Sequence, residues 1–485
     1  MQKTAKNIMP CVAIATLGCK VNQFESAALG TAFTTAGCTL VPLHAGADIV
    51  VINSCAVTGR AGQQSRQLIR RALQLNQAAR VLVTGCYAQA EATAVRALDA
   101  RIVLVGNAHK EHIVQVALAA KSSQLPLLHS PMEEKKDIFD LPVRHFSGRT
   151  RAYLRIQDGC NNFCSYCIVP HTRGRSRSLP RDQVFAQAEI FADAGYTELV
   201  ITGINTGKYG QDLPKKENIT SLLSQLCAHF PQLRFRLSSI EPTEISEEFL
   251  QLATQSTNLM PHFHIPLQSG DNRILKRMRR RYSAEDFAAV ILRLHQKLPQ
   301  AAIGCDVLCA FPGEGEEEAA NTYNLLASLP ISYLHVFPYS KRPGTPAASM
   351  EGQVPAASKA QRVQLLRQLD AELRQRFYKT HLGQSFQVLV ERRLRNQPGW
   401  LQGFSENYIP ITFAGPPSLV RSLVTVRLDS LVDGQPRGQR IAEVADNTDM
   451  ARQPGNTPQA TGCLSEITET GTVAKHTKEQ TCGEK

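Results

Sequence analysis

The sequence predicts an α/β protein of three parts: an N-terminal doubly wound parallel sheet, a central partial (β/α)6 barrel and a small C-terminal antiparallel β-barrel. Three observations carry this prediction. Over the first 120 residues a short apolar run repeatedly ends in a loop and gives way to a helical pattern. From Tyr153 to about Phe337 strands and helices alternate again. Beyond a long helical stretch the pattern turns to short alternating strands broken by glycines.

In the first part the apolar runs are Val12 to Leu17, Ile49 to Asn53, Val81 to Thr84 and Ile102 to Val105, with helices such as Gln63 to Leu75 between them. Residues 122–147 lack strong periodicity, contain Pro126, Pro131 and Pro142, and are expected to link the first part, 10–121, to the second, 148–375. Strands are expected there at 153–157, 198–202, 233–239, 262–266, 303–309 and 333–337, with crossover helices of the type Asp182 to Ala194. Alternate strand residues point to opposite sides. Leu233, Phe235 and Leu237 therefore share one face, while Arg234, Arg236 and Ser238 share the other. Arg155 and Gln157, His262 and His264, and Gly304 and Asp306 repeat the polar choice, which predicts a lumen built for a polar ligand. After a helix from about Lys359 to Lys379, alternation at Phe386, Val388 and Val390, at 400–413 and at 423–431 predicts an oligonucleotide-binding type of barrel over 376–442. The polar segment 445–485 is expected to be disordered.

A net charge of +12 over 485 residues favours a polyanionic partner. No apolar run approaches the roughly 20 residues that span a bilayer, so no membrane partner is expected. Lys3 and Lys6 before an apolar stretch ending at Cys19 imitate a lipoprotein signal, but Pro10 interrupts that stretch.

Two cysteine sets carry the chemistry. Cys160, Cys164 and Cys167 directly follow the first barrel strand, and three thiolates at that spacing can wrap a cubane cluster while leaving one iron open. Cys19, Cys55 and Cys86 each fall just beyond the carboxyl end of a separate N-terminal strand, so a parallel sheet brings them to one edge as a second three-cysteine cluster site. Cys11, Cys38, Cys227, Cys305 and Cys309 fit neither triad and read as ordinary thiols.

The first triad resembles that of the radical S-adenosylmethionine superfamily. Thr16-Leu17-Gly18-Cys19-Lys20-Val21-Asn22-Gln23, Asn53-Ser54-Cys55-Ala56-Val57-Thr58 and Gly85-Cys86-Tyr87-Ala88-Gln89 resemble the signature of its methylthiotransferase family. Thr202-Gly203-Ile204-Asn205, Ser238-Ser239-Ile240-Glu241-Pro242, His264-Ile265-Pro266-Leu267-Gln268-Ser269-Gly270 and Phe311-Pro312-Gly313-Glu314 continue the resemblance, which spans about residues 10–440. It implies two 4Fe-4S clusters, S-adenosylmethionine as cofactor, a radical core, a terminal TRAM domain that holds RNA, and transfer of a methylthio group to carbon 2 of an adenosine in tRNA. By motif position Thr202 and Gly203 are expected near the methionine amino group and Ser238 and Glu241 near the ribose, with Asp306 and Glu314 as further lumen candidates. The resemblance also implies an electron donor such as a flavodoxin or ferredoxin, a monomeric chain and a cytoplasmic setting.

Ala310 stands where the family pattern has glycine, and Gly315 where threonine is usual. The Cys19-Lys20-Val21-Asn22 form resembles the branch that acts on N6-threonylcarbamoyladenosine at position 37, beside the anticodon. Sister branches act on isopentenyl-adenosine or on an aspartate of a ribosomal protein. From another class, a non-catalytic iron–sulfur RNA-binding protein would share the clusters but would not cleave the cofactor. The basic runs around Arg173 and Arg175 and around Arg279 and Arg280 are expected to contact RNA phosphates.

Overall fold

The computed structural model describes residues 9–119, 128–132, 135, 137–139 and 142–441. Lys3, Lys6, Pro126 and the expected disordered tail 445–485, with Cys463 and Cys482, lie outside the described residues.

The N-terminal sheet is parallel and holds β1 (Cys11–Thr16), β2 (Thr39–Leu40), β3 (Ile49–Ser54), β4 (Arg80–Gly85) and β5 (Ile102–Leu104). Their order is β2-β1-β3-β4-β5, so the chain reverses direction across the sheet between β1 and β3. In such folds the crevice beyond the carboxyl ends of those two strands is the ligand site. All six residues of β3 are buried, as a central strand covered on both faces requires. Helix α1 (Lys20–Thr35) lies on one face and α2 (Gly59–Leu75) follows β3. The two-residue exposed strand β2 has no alternation for sequence reasoning to find.

The central region begins with β6 (Ala152–Arg155), and a short antiparallel pair, β7 (Gln157–Asp158) and β8 (Arg177–Ser178), clamps the ends of the cysteine loop. The parallel strands β9 (Glu198–Thr202) and β10 (Arg234–Leu237) pair with β6 in the order β10-β9-β6. A second parallel set contains β11 (His262–His264), β12 (Ala302–Cys309) and β13 (Tyr333–Pro338). Bridging between Phe235 and Leu259 joins the sets, giving the expected six-stranded partial barrel.

The polar faces of these strands serve a purpose that the expected ligand lumen did not include. Arg236 is 2 % exposed; it pairs with Glu198 at 2.7 Å and donates to the carbonyls of Ser405 and Glu406. Arg234 donates to the carbonyl of Gln387 at 3.0 Å. Arg155 lies over the Phe24 ring and donates to the Phe139 carbonyl. Much of the lumen polarity thus fastens the flanking parts of the chain to the barrel wall.

A helix over Ala356–Lys379 leads to β14 (Ser385–Arg393), β15 (Trp400–Phe404), β16 (Pro410–Ala414), β17 (Leu423–Val432) and β18 (Gln435–Arg440), which close into a barrel. Val388, Val390, Ile411, Phe413, Val426 and Leu428 fill it. The expected strand over 400–413 is two strands, because the chain turns at Ser405 to Tyr408 with Tyr408 at φ 65°. β18 escaped the sequence pattern, since Gln-Pro-Arg-Gly-Gln-Arg has no apolar alternation.

Candidate active site

Cys19, Cys55 and Cys86 follow β1, β3 and β4 and converge at the carboxyl edge of the sheet. Two glycines make the approach possible. A Cβ on Gly18 (φ 102°) would lie 2.8 Å from the Cys55 sulfur, and one on Gly85 (φ 95°) would lie 2.3 Å from the Ser54 carbonyl oxygen. Cys19 caps α1 without a side-chain hydrogen bond, so the positive end of a 16-residue helix lies beside its sulfur and favours anionic charge there. Burial and the neighbouring Cys86 push the Cys55 thiol up to about 11. Forming the thiolates therefore calls for a compensating cation, and a bound metal cluster supplies one.

Cys160, Cys164 and Cys167 occupy the loop that β7 and β8 clamp. The Cys160 amide donates to the Gly174 carbonyl, and the Cys167 amide donates to the Cys164 carbonyl. Burial and Cys164 push the Cys167 thiol up to about 12. Arg280 donates to the Cys164 sulfur at 3.3 Å and also pairs with Glu241.

A buried charge network joins the two triads. Arg173 leaves the short helix Val169–Arg173 and contacts Asp158 Oδ1 at 2.9 Å, Glu25 Oε1 at 3.1 Å and Asn22 Oδ1 at 2.5 Å. Lys110 meets Glu25 at 2.5 Å. Burial alone would raise the Glu25 carboxyl, but Arg173 and Lys110 hold it well below the usual carboxylate range. Arg173 also lowers the Cys19 thiol against the upward effect of burial. Sequence reasoning missed Asn22, Glu25, Lys110 and Asp158, because none belongs to a spaced metal motif.

The remaining expected site residues fall in four places. Thr202 ends β9 and Gly203 follows it, and a Cβ on Gly203 would lie 2.9 Å from the Gln157 side-chain oxygen. Ser238 follows β10, and its buried hydroxyl finds no hydrogen-bond partner among the described residues. Asp306 accepts from His264 at 2.8 Å and lies 3.4 Å from His335. Burial raises its carboxyl, but the two histidines hold it below the usual range. Glu314 is placed differently from a lumen residue. It accepts from the Ala310 and Phe311 amides and pairs with Arg362 at 2.9 Å, so it braces the turn after β12.

Two expected phosphate contacts are corrected by burial. Arg173 is 2 % exposed and saturated by carboxylates, and the Arg280 side chain is 5 % exposed against Glu241 and Cys164. Arg175 and Arg279 remain exposed.

Ala310 sits at φ 59°, the left-handed region, which explains why the family pattern carries glycine there. Ala310→Gly is expected to stabilise the protein by about 1 kcal/mol, measured as a higher urea midpoint.

Comparison with known proteins agrees with this geometry. Residues 154–326 match the family model described as Radical SAM superfamily, and residues 11–106 match that described as Uncharacterized protein family UPF0004. The threonylcarbamoyladenosine tRNA methylthiotransferase MtaB of Bacillus subtilis is 39% identical over 90% of this chain and 98% of its own. The tRNA-2-methylthio-N(6)-dimethylallyladenosine synthase of Pelotomaculum thermopropionicum is 31% identical over 85% of this chain and 94% of its own. Among solved structures, the radical S-adenosylmethionine methyltransferase TsrM of Kitasatospora setae, with cobalamin and a 4Fe-4S cluster bound, shares the fold. Its TM-score is 0.52 at 15% identity, over 70% of this chain and 77% of that one. The chain belongs to the methylthiotransferase family of radical S-adenosylmethionine enzymes, as MtaB does, and it is an enzyme of methylthio transfer that uses S-adenosylmethionine and a 4Fe-4S cluster.

Proposed function

We propose that this enzyme adds a methylthio group to carbon 2 of N6-threonylcarbamoyladenosine at tRNA position 37. The observation that carries the proposal is the arrangement of two cysteine triads locked together by Arg173, in a chain 39% identical to a threonylcarbamoyladenosine tRNA methylthiotransferase. Cys160, Cys164 and Cys167 would hold the radical cluster, and Cys19, Cys55 and Cys86 a second 4Fe-4S cluster. When bound, these groups and S-adenosylmethionine supply a carbon-centred radical and a methylated sulfur.

The residues present fit that cofactor set. Within each triad the thiols lie close enough to raise one another, Cys86 and Cys19 acting on Cys55 and Cys164 and Cys160 on Cys167, and the unpartnered Ser238 hydroxyl offers a hydrogen bond in the barrel. Thr202, Gly203, Ser238 and Glu241 would bind and orient S-adenosylmethionine. Asp306, held as a carboxylate by His264 and His335, keeps a fixed negative charge on the lumen wall. Holding the reactants in one orientation is the larger part of what the protein contributes.

The part boundaries follow the same proposal: 10–121 for the second cluster, 148–375 for the radical core and 376–442 as an RNA-holding TRAM barrel. We assign an electron donor such as flavodoxin or ferredoxin, and a monomeric enzyme of the cytoplasm. No helix among the described residues is long and apolar enough to cross a membrane. Nucleoside mass spectrometry of tRNA from a deletion strain tests the substrate. The threonylcarbamoyl nucleoside should lose its methylthio form, whereas loss from isopentenyl-adenosine alone would refute the assignment.

RNA affinity is expected to fall steeply with salt. Arg175→Gln with Arg279→Gln should flatten the log–log slope by about one to two, because each exposed cation displaces about one counterion from phosphate. A slope unchanged in filter binding would remove these residues from the interface.

A further inference from the structure

A cavity of about 330 Å³ opens where the N-terminal part, the radical core and the C-terminal barrel meet. Its wall carries Lys20, Arg149, Arg151, Arg236 and Arg392 against a single acid, Glu391. Such a balance in a partly enclosed space selects an anion.

The arginines are already engaged. Arg151 pairs with Glu198 and Glu391, Arg236 with Glu198, Arg149 donates to the Tyr153 hydroxyl, and Arg392 donates to Gln402. Lys20 differs. Its side chain faces the cavity, and its ammonium makes no hydrogen bond or ion pair with the described residues. The Asp306 carboxylate and the Cys19 thiol act on this ammonium only from beyond hydrogen-bond reach, while Arg151 and Arg236 oppose its charge, so a lysine without a direct partner here favours a negative group brought from outside.

Position identifies that group. Lys20 directly follows Cys19, so it stands beside the triad to which the second cluster is assigned. A nucleobase reacting there must present carbon 2 to the cluster. In adenine, carbon 2 and the N6-bearing carbon flank N1 on one edge of the ring, so a substituent on N6 lies along the same edge as the reacting carbon. A threonylcarbamoyl group ends in a carboxylate, while an isopentenyl group carries no charge. We propose that Lys20, in the positive field of Arg151 and Arg236, binds the threonyl carboxylate and so selects the substrate at this site. The inference rests on the threonylcarbamoyladenosine assignment above. Both threonyl carboxylate and RNA phosphate are anions, and the test separates them.

Full-length reconstituted enzyme is given two anticodon stem-loop RNAs, one with N6-threonylcarbamoyladenosine and one with its neutral threoninamide analogue. The wild type is expected to prefer the acid in kcat/KM by about tenfold to a hundredfold, the range for a charge-assisted hydrogen bond. Lys20→Met should bring the two substrates within about twofold of each other by lowering kcat/KM for the acid alone. Lys20→Arg should keep the preference. Because the readout is a ratio within one preparation, incomplete cluster loading beside Cys19 cancels. A wild type that modifies both RNAs equally overturns the inference while leaving the substrate assignment intact. Equal losses for both RNAs in Lys20→Met would place the lysine on phosphate and also overturn it. An enzyme that leaves the threonylcarbamoyl RNA unmodified overturns the substrate assignment and the inference together.

Discussion

Cys55→Ala is expected to leave cofactor cleavage in place and to abolish the methylthiolated product. Cys160→Ala is expected to abolish both. The asymmetry follows from where each thiol sits. Cys160 lies in the loop clamped by β7 and β8, close to Glu241 and to Cys164, whose sulfur accepts from Arg280, whereas Cys55 directly follows β3 of the N-terminal sheet. Each variant should retain one cluster, so iron should fall from about eight to about four atoms per chain. Deoxyadenosine release reports the barrel site, and nucleoside mass spectrometry reports the transfer. Normal product from Cys55→Ala would show that the second triad is not the sulfur source, and iron-free but zinc-loaded wild type would remove both clusters from the account.

The sequence carried the two triads because their spacing and their places after predicted strands are local signals. Strand periodicity was enough to place Cys19, Cys55 and Cys86 along one sheet edge, and the order β2-β1-β3-β4-β5 sharpens this by putting the reversal between the first two. Charge is less legible. Arg173 stands in an Arg-Gly-Arg-Ser-Arg run that looks like a phosphate-binding surface, and a run of cations carries no record of which are buried. Its partner Glu25 lies 148 residues earlier on α1, a pairing that only the docking of two parts of the chain creates. Strand alternation puts Arg234 and Arg236 on a polar face, yet it cannot distinguish a face turned to a ligand from one that grips the C-terminal barrel. Glu314 shows the same limit, since a motif position does not reveal that its carboxylate caps the amides of Ala310 and Phe311.

Arg173→Met is expected to be the most destabilising substitution outside the cysteines. The side chain is 2 % exposed, and its removal leaves Asp158 without its 2.9 Å partner and Glu25 with Lys110 in place of two cations. Breaking a buried pair by deleting one member costs about 3–5 kcal/mol, far more than an exposed pair contributes. Arg177, 3.9 Å from Asp158, compensates in part. Acid sensitivity gives an independent sign. In the wild type the Glu25 carboxyl is held below its ordinary value, so its contribution to stability is full above the unfolded carboxyl's range near pH 4 and is lost as the pH falls. Without Arg173 that depression shrinks, and the variant should lose less additional stability on acidification than the wild type. Urea midpoints at pH 7.5 and at about pH 3, below the unfolded carboxyl's range, would show both effects, a large gap at the higher pH that narrows at the lower. Because Arg173 also favours the Cys19 thiolate, the variant should retain less iron at the second triad, while Arg173→Lys should recover part of both losses. A variant within about 1 kcal/mol of wild type at pH 7.5 would mean that the Arg173 network does not fasten the N-terminal sheet to the barrel.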